Sequence, residues 1–173
     1  MKLRGRKSVR LKGHDYSEPG SYFVTICTAG RACIFGVIKD GVMNLSDIGR
    51  IVDDCWRRIP DHFPSTSTGI FQIMPNHLHG IVEIKEETNG WTGVGTRHAR
   101  PPNPFGRAVS LQGFTGEVFG KPRPGSLSTV IGSFKSAVTK QMHERGLCRE
   151  KSLWQPRFYD HIVRSEIDYY FTP

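Results

Sequence analysis

The sequence predicts one α+β domain, an antiparallel sheet with helices packed on one of its faces. Three observations carry this. Short runs rich in aromatic and β-branched residues recur along the chain. Two longer segments place apolar residues at helical spacing. At 173 residues the chain suits a single domain able to bury a core without metal or disulfide staples.

Taken in order, residues 1–13 form a basic arm. Lys2, Arg4, Arg6, Lys7, Arg10 and Lys12 supply it, and no acid precedes Asp15. Clustered charge of one sign suits phosphate contacts as well as a solvated terminus. Residues 22–27, following Pro19-Gly20, predict a strand. Residues 34–38 and 42–45 flank Asp40-Gly41, a hairpin signal because glycine accepts the positive φ of tight turns. Ser46 or Asp47 then caps a helix. Its stripe of Ile48, Ile51, Val52, Cys55, Trp56 and Ile59 faces the core, and Pro60 stops it.

Residues 70–74 and 78–84 are two further short strands. Residues 86–125 differ sharply: 13 of the 40 are glycine or proline. That exceeds the roughly 25–30% that marks low-complexity sequence, so this stretch is expected to be a flexible insertion and not a second domain. A second helix starts at Ser126 or Ser128, buries Leu127, Val130, Ile131, Phe134, Val138 and Met142, and ends at Gly146. Lys135, Lys140 and Arg145 lie off that face. A last strand falls within residues 157–164. The order strand, hairpin, helix, strand, strand, helix, strand fits a ferredoxin-like arrangement. That arrangement hosts many functions and does not select one.

Net charge is +8, from 24 Lys and Arg against 16 Asp and Glu. A basic surface gains affinity for polyanions by releasing counterions. No apolar run approaches the ~20 residues of a membrane span, and the N-terminus lacks the apolar stretch of a signal peptide. The expectation is a cytoplasmic protein with a nucleic-acid partner and no membrane, whose phosphate contacts come from the arm together with Lys135, Lys140 and Arg157. The cysteines, Cys27, Cys33, Cys55 and Cys148, form no Cys-x-x-Cys pair. Cys27 and Cys55 sit in apolar patterns and are expected in the core.

His77 and His79 are two residues apart. On a strand both side chains leave one face, with Cα atoms roughly 6.5–7 Å apart, near enough to share a metal ion. Leu78, Gly80, Val82 and Ile84 then point to the core. Two imidazoles leave a coordination shell incomplete. A third ligand and open positions for phosphate oxygens would turn the pair into a site that polarises a phosphodiester. The same spacing also suits two half-exposed histidines with backbone partners. His14, His62, His98, His143 and His161 show no ligand spacing.

Met74-Pro75-Asn76-His77-Leu78-His79-Gly80 resembles the His-hydrophobic-His motif of the single-tyrosine HUH transposases, and most nearly the REP-associated tyrosine transposases. Further pieces match in order: Arg10-Leu11-Lys12-Gly13 with Asp15-Tyr16, Gly20 to Cys27, Ile131-Gly132-Ser133-Phe134-Lys135-Ser136, and Trp154-Gln155-Pro156-Arg157-Phe158-Tyr159-Asp160-His161. The resemblance implies a ferredoxin-like transposase fold, a hairpin or other single-stranded DNA partner, a homodimer, and DNA transposition. It implies His77 and His79 holding Mg²⁺ or Mn²⁺ on the scissile phosphate, and a tyrosine that forms a 5′-phosphotyrosine link.

In that family the nucleophile lies on a helix beyond the Trp-Gln-x-x-Phe-Tyr-x-His segment, in a pattern like Tyr-Ile-x-x-Asn-Pro. An Asn or Gln one turn later completes the metal site, since a spacing of four shares a helix face. No such pattern occurs here. Tyr169 and Tyr170 are the late tyrosines and stand in as candidate nucleophiles. Four residues past Tyr169 is Pro173, which has no ligating side chain. The expectation is a copy truncated or frameshifted before its nuclease helix. Three readings stay open: an active single-strand transposase, a catalytically defective DNA-binding remnant, and an RNA- or nucleic-acid-binding ferredoxin-like module.

Overall fold

A computed structural model describes residues 14–86, 124–147 and 153–164. The basic arm, most of the 86–125 insertion, Cys148, Tyr169 and Tyr170 lie outside the described residues.

Strand β1 (Gly20–Cys27) leads through a tight turn at Ala29–Arg31 to a hairpin of β2 (Gly36–Lys39) and β3 (Val42–Leu45). Asp40 and Gly41 both have positive φ, 51° and 75°, as a primed two-residue hairpin turn requires. Helix α1 (Asp47–Arg57) follows, capped by the Ser46 side chain, which accepts from the Gly49 amide. Pro60 does not simply end it. It sits in the first turn of a second short helix, α2 (Ile59–His62), where a missing N–H costs nothing. Then come β4 (Thr66–Met74), β5 (His77–Ile84), α3 (Leu127–Glu144) and β6 (Tyr159–Val163). Gly146, at φ 66°, closes α3 as the Leu147 amide donates back to the Met142 carbonyl.

The four long strands form one antiparallel sheet in the order β4-β5-β1-β6. Setting the hairpin aside, this is a βαββαβ chain with its first and third strands central, the ferredoxin-like order. The α+β expectation holds. β4 starts four residues before the predicted strand, because an irregularity between Thr68 and Phe71 lets its polar first half stay paired with β5.

Alternation divides the sheet into two faces. Tyr22, Val24 and Ile26 of β1 and Leu78, Val82 and Ile84 of β5 are buried with the apolar stripes of α1 and α3 in one core. Trp56 anchors it, edge-on to Phe134 with ring centres 5.3 Å apart. Gly80 is there because of Trp56: a Cβ on residue 80 would lie 2.5 Å from Trp56 Cζ2 and 3.0 Å from Phe71 Cβ. Cys55 is buried as expected, and burial pushes its thiol up to about 11. Cys27 is not in the core. The alternation that buries Tyr22, Val24 and Ile26 turns Cys27 to the opposite face, half-buried and paired with His77. No helix among the described residues is long and apolar enough to cross a membrane.

Candidate functional site

The face of the sheet away from α1 and α3 carries the predicted histidines. Register places His77 between Met74 and Cys27, and His79 between Gln72 and Thr25. Thr25 in turn pairs with Tyr159 on β6, and Phe23 with His161. One face therefore presents Gln72, His77, His79, Thr25, Phe23, Tyr159 and His161.

The two imidazoles touch, edge to face, with ring centres 4.5 Å apart. Each has its Nδ1 occupied. His77 Nδ1 lies 2.7 Å from Asn76 Oδ1. The Asn76 amide is itself oriented, since its Nδ2 donates to the Arg31 carbonyl at 3.3 Å. Oδ1 can only accept, so the His77 proton is on Nδ1 and the Nε2 lone pair is free. His79 Nδ1 lies 2.8 Å from Thr25 Oγ1, and Phe23 stacks on the ring at 5.5 Å and 16°. This is how metal-binding histidines are commonly held: an outer partner fixes the tautomer and aims the second nitrogen.

The turn that carries the motif is clamped from behind. The Asn76 carbonyl accepts from both the amide and the hydroxyl of Thr28, each at 3.0 Å, and the Pro75 carbonyl accepts from the Phe35 amide at 3.0 Å. The histidine site thus starts from a turn tied to the residue after β1 and to the residue ahead of the hairpin.

Both histidines have pKa values below the ordinary 6.5. For His77 burial is the main cause and the Arg31 guanidinium the second. For His79 burial leads and His77 follows. Both are therefore neutral at pH 7, the form that ligates metal. No three His, Cys, Asp or Glu side chains converge to hold a metal ion among the described residues. The pair fits a hard divalent ion as half a site, with the remaining positions left to amide, phosphate or water oxygens.

Of the basic residues expected on DNA, Lys135, Lys140 and Arg157 are among the described ones. Lys135 Nζ donates to the carbonyls of Gln155 and Arg157 at 3.0 and 3.1 Å. It lies 5.9 Å from the Trp154 ring and 6.0 Å from that of Phe158. Burial pushes its pKa down to about 8. Two of its three donors hold residues 155–157, the segment that leads into β6. Lys140 lies on α3, behind the sheet, 3.8 Å from Glu144. Arg157 is exposed just ahead of β6. Thr25, Asn76 and Arg31 escaped the sequence reading as functional residues. Asn76 had a signal, being inside the motif; the other two depend on register and turn geometry.

The chain shares its fold with a known transposase structure. A REP-associated tyrosine transposase bound to a REP hairpin superposes with a TM-score of 0.54 at 16% identity, over 94% of this chain and 67% of that one. The chain thus has a transposase-like α+β fold. By sequence it is 35% identical over 170 residues to an uncharacterized protein of Haemophilus influenzae, covering 96% of this chain and 83% of that protein. It belongs to the family of that protein. No protein-family model matches the chain.

Proposed function

We propose that this chain handles single-stranded DNA as a tyrosine transposase does, with His77 and His79 holding Mg²⁺ or Mn²⁺ against a phosphodiester. One observation carries the reading: two contacting imidazoles on the open face, each with Nδ1 held by a neighbouring polar side chain, Asn76 or Thr25. The bound ion would supply Lewis-acid polarisation of the phosphate. The fold shared with a hairpin-bound transposase and the net charge of +8 support a DNA partner. Such an enzyme works as a homodimer, and hairpin or single-stranded DNA is its substrate.

The covalent step uses a tyrosine phenol. Its oxygen bonds to phosphorus, the P–O3′ bond breaks, and the phenolic proton passes to the leaving 3′ oxygen. Tyr170 and Tyr169 are the candidate nucleophiles. The arm residues Lys2, Arg4, Arg6, Lys7, Arg10 and Lys12, with Lys140 and Arg157, would contact phosphates outside the site. The second reading is a DNA-binding remnant that keeps the fold and the metal pair without cleavage.

One experiment separates them. Labelled single-stranded hairpin DNA is incubated with the protein and Mn²⁺ and run on denaturing gels. A covalent adduct lost in Tyr170→Phe or Tyr169→Phe establishes the transposase. Binding without an adduct establishes the remnant. Preference for structured RNA over hairpin DNA would favour the nucleic-acid module instead.

A further inference from the structure

Arg31 reaches the histidine pair through contacts unconnected with the packing of the sheet. It closes the turn Ala29–Arg31, where Gly30 and Arg31 both hold left-handed angles, φ 60° and 57°. Glycine adopts that region freely, whereas a residue with a Cβ is strained there. A strained arginine where glycine fits without strain points to a use for its side chain. Its main chain is already committed. The Arg31 carbonyl accepts from Asn76 Nδ2, and the same carboxamide holds His77 Nδ1.

Arg31 is exposed, and it makes no ion pair among the described residues. Its backbone is separated from the His77 ring by the single carboxamide of Asn76. Among the described residues, Glu83 on that face lies further along β5 and is bonded to Ser67 at 2.8 Å. A permanent cation beside a pair of imidazoles opposes a bare metal ion. The arrangement becomes favourable when an anion lies between them.

We propose that Arg31 binds phosphate at the histidine site, its guanidinium holding non-bridging oxygens of the same DNA phosphodiester that faces the Nε2 atoms of His77 and His79. The planar guanidinium fork matches two phosphate oxygens at once. This deepens the reading under Proposed function and rests on it: it names the group that seats the backbone of the strand.

The test uses the full chain, a short fluorescein-labelled oligothymidylate read by anisotropy in Mn²⁺ over a range of NaCl, and calorimetric titration with Mn²⁺ alone. Arg31→Ala and Arg31→Gly are expected to weaken strand binding roughly tenfold and to lower the salt slope by about 0.7, the value of one phosphate contact on a single strand. Arg31→Lys keeps the slope. Mn²⁺ alone binds the Ala and Gly variants at least as tightly as the parent, since a neighbouring cation is gone. Arg31→Gly relieves the left-handed backbone, so its melting temperature does not fall and lost binding cannot be blamed on unfolding.

Parental affinity and slope in Arg31→Gly would overturn the inference and leave the proposed function standing, provided the parent binds the strand and loses Mn²⁺ on His77→Ala. A parent that binds neither Mn²⁺ nor the strand overturns both.

Discussion

The Thr25 hydroxyl lies 2.8 Å from Nδ1 of His79, because register pairs the two residues directly across β1 and β5. That bond and the stacked Phe23 ring decide where Nε2 of His79 points. Thr25→Val keeps the β-branched shape and removes the hydroxyl. Mn²⁺ affinity should fall by about tenfold or more, the usual range for losing an outer-shell partner, with little change in melting temperature. Unchanged affinity would mean that Phe23 alone holds the ring.

The depressed histidine pKa values give a pH signature. Both groups titrate below the ordinary 6.5. Between their folded values and 6.5 the unfolded chain binds more protons than the folded one. The pair thus contributes stability that is present above 6.5 and lost as pH falls through the folded values. The His77→Ala, His79→Ala double variant should therefore lose less stability than the parent as pH drops below about 6.5. Melting curves compared across that range decide it, and parallel curves would refute it. Mn²⁺ binding by the parent should weaken over the same window, as protons compete for Nε2.

Gly80→Ala probes the wall behind the site. Its Cβ would meet Trp56 Cζ2 at 2.5 Å, and neither the indole nor the paired strand can easily give way. Overpacking of this kind costs typically about 1–3 kcal/mol. Urea unfolding should show a loss of that size. His77→Ala removes a half-buried side chain and should unfold at close to the parental midpoint while losing Mn²⁺. If His77→Ala is destabilised as strongly as Gly80→Ala, the histidine serves the fold.

Much of this was legible in the sequence, and the misses have local causes. His77 and His79 could be placed on one face because Leu78 and Gly80 interrupt them with the opposite character. Residues 22–27 carry one polar side chain, Thr25, among five apolar ones, too little to set the phase; hence Cys27 was expected inside. Pro60 reads as a stop from the sequence, although proline equally opens a helix. Lys135 lies off the apolar stripe of α3 by periodicity. Its burial comes from the Trp154–Phe158 stretch, twenty residues on, that folds back over it. Thr25 and Arg31 became site residues only through pairing across the sheet and the Asn76 bridge, neither of which a local pattern encodes.

Tyr159 offers the last prediction. It is 50% exposed, and its register partner Thr25 also faces His79, so phenol and imidazole lie on one row of the open face. An exposed aromatic beside a phosphate site is a platform on which a base of the strand can stack, a contact worth about 1–3 kcal/mol. Tyr159→Ala should weaken binding of labelled single-stranded DNA roughly tenfold and leave Mn²⁺ affinity unchanged. Tyr159→Phe keeps the ring and should bind as the parent does, with any covalent adduct intact. An adduct lost in Tyr159→Phe while binding persists would assign the phenol itself as the nucleophile, since only the hydroxyl separates the two side chains.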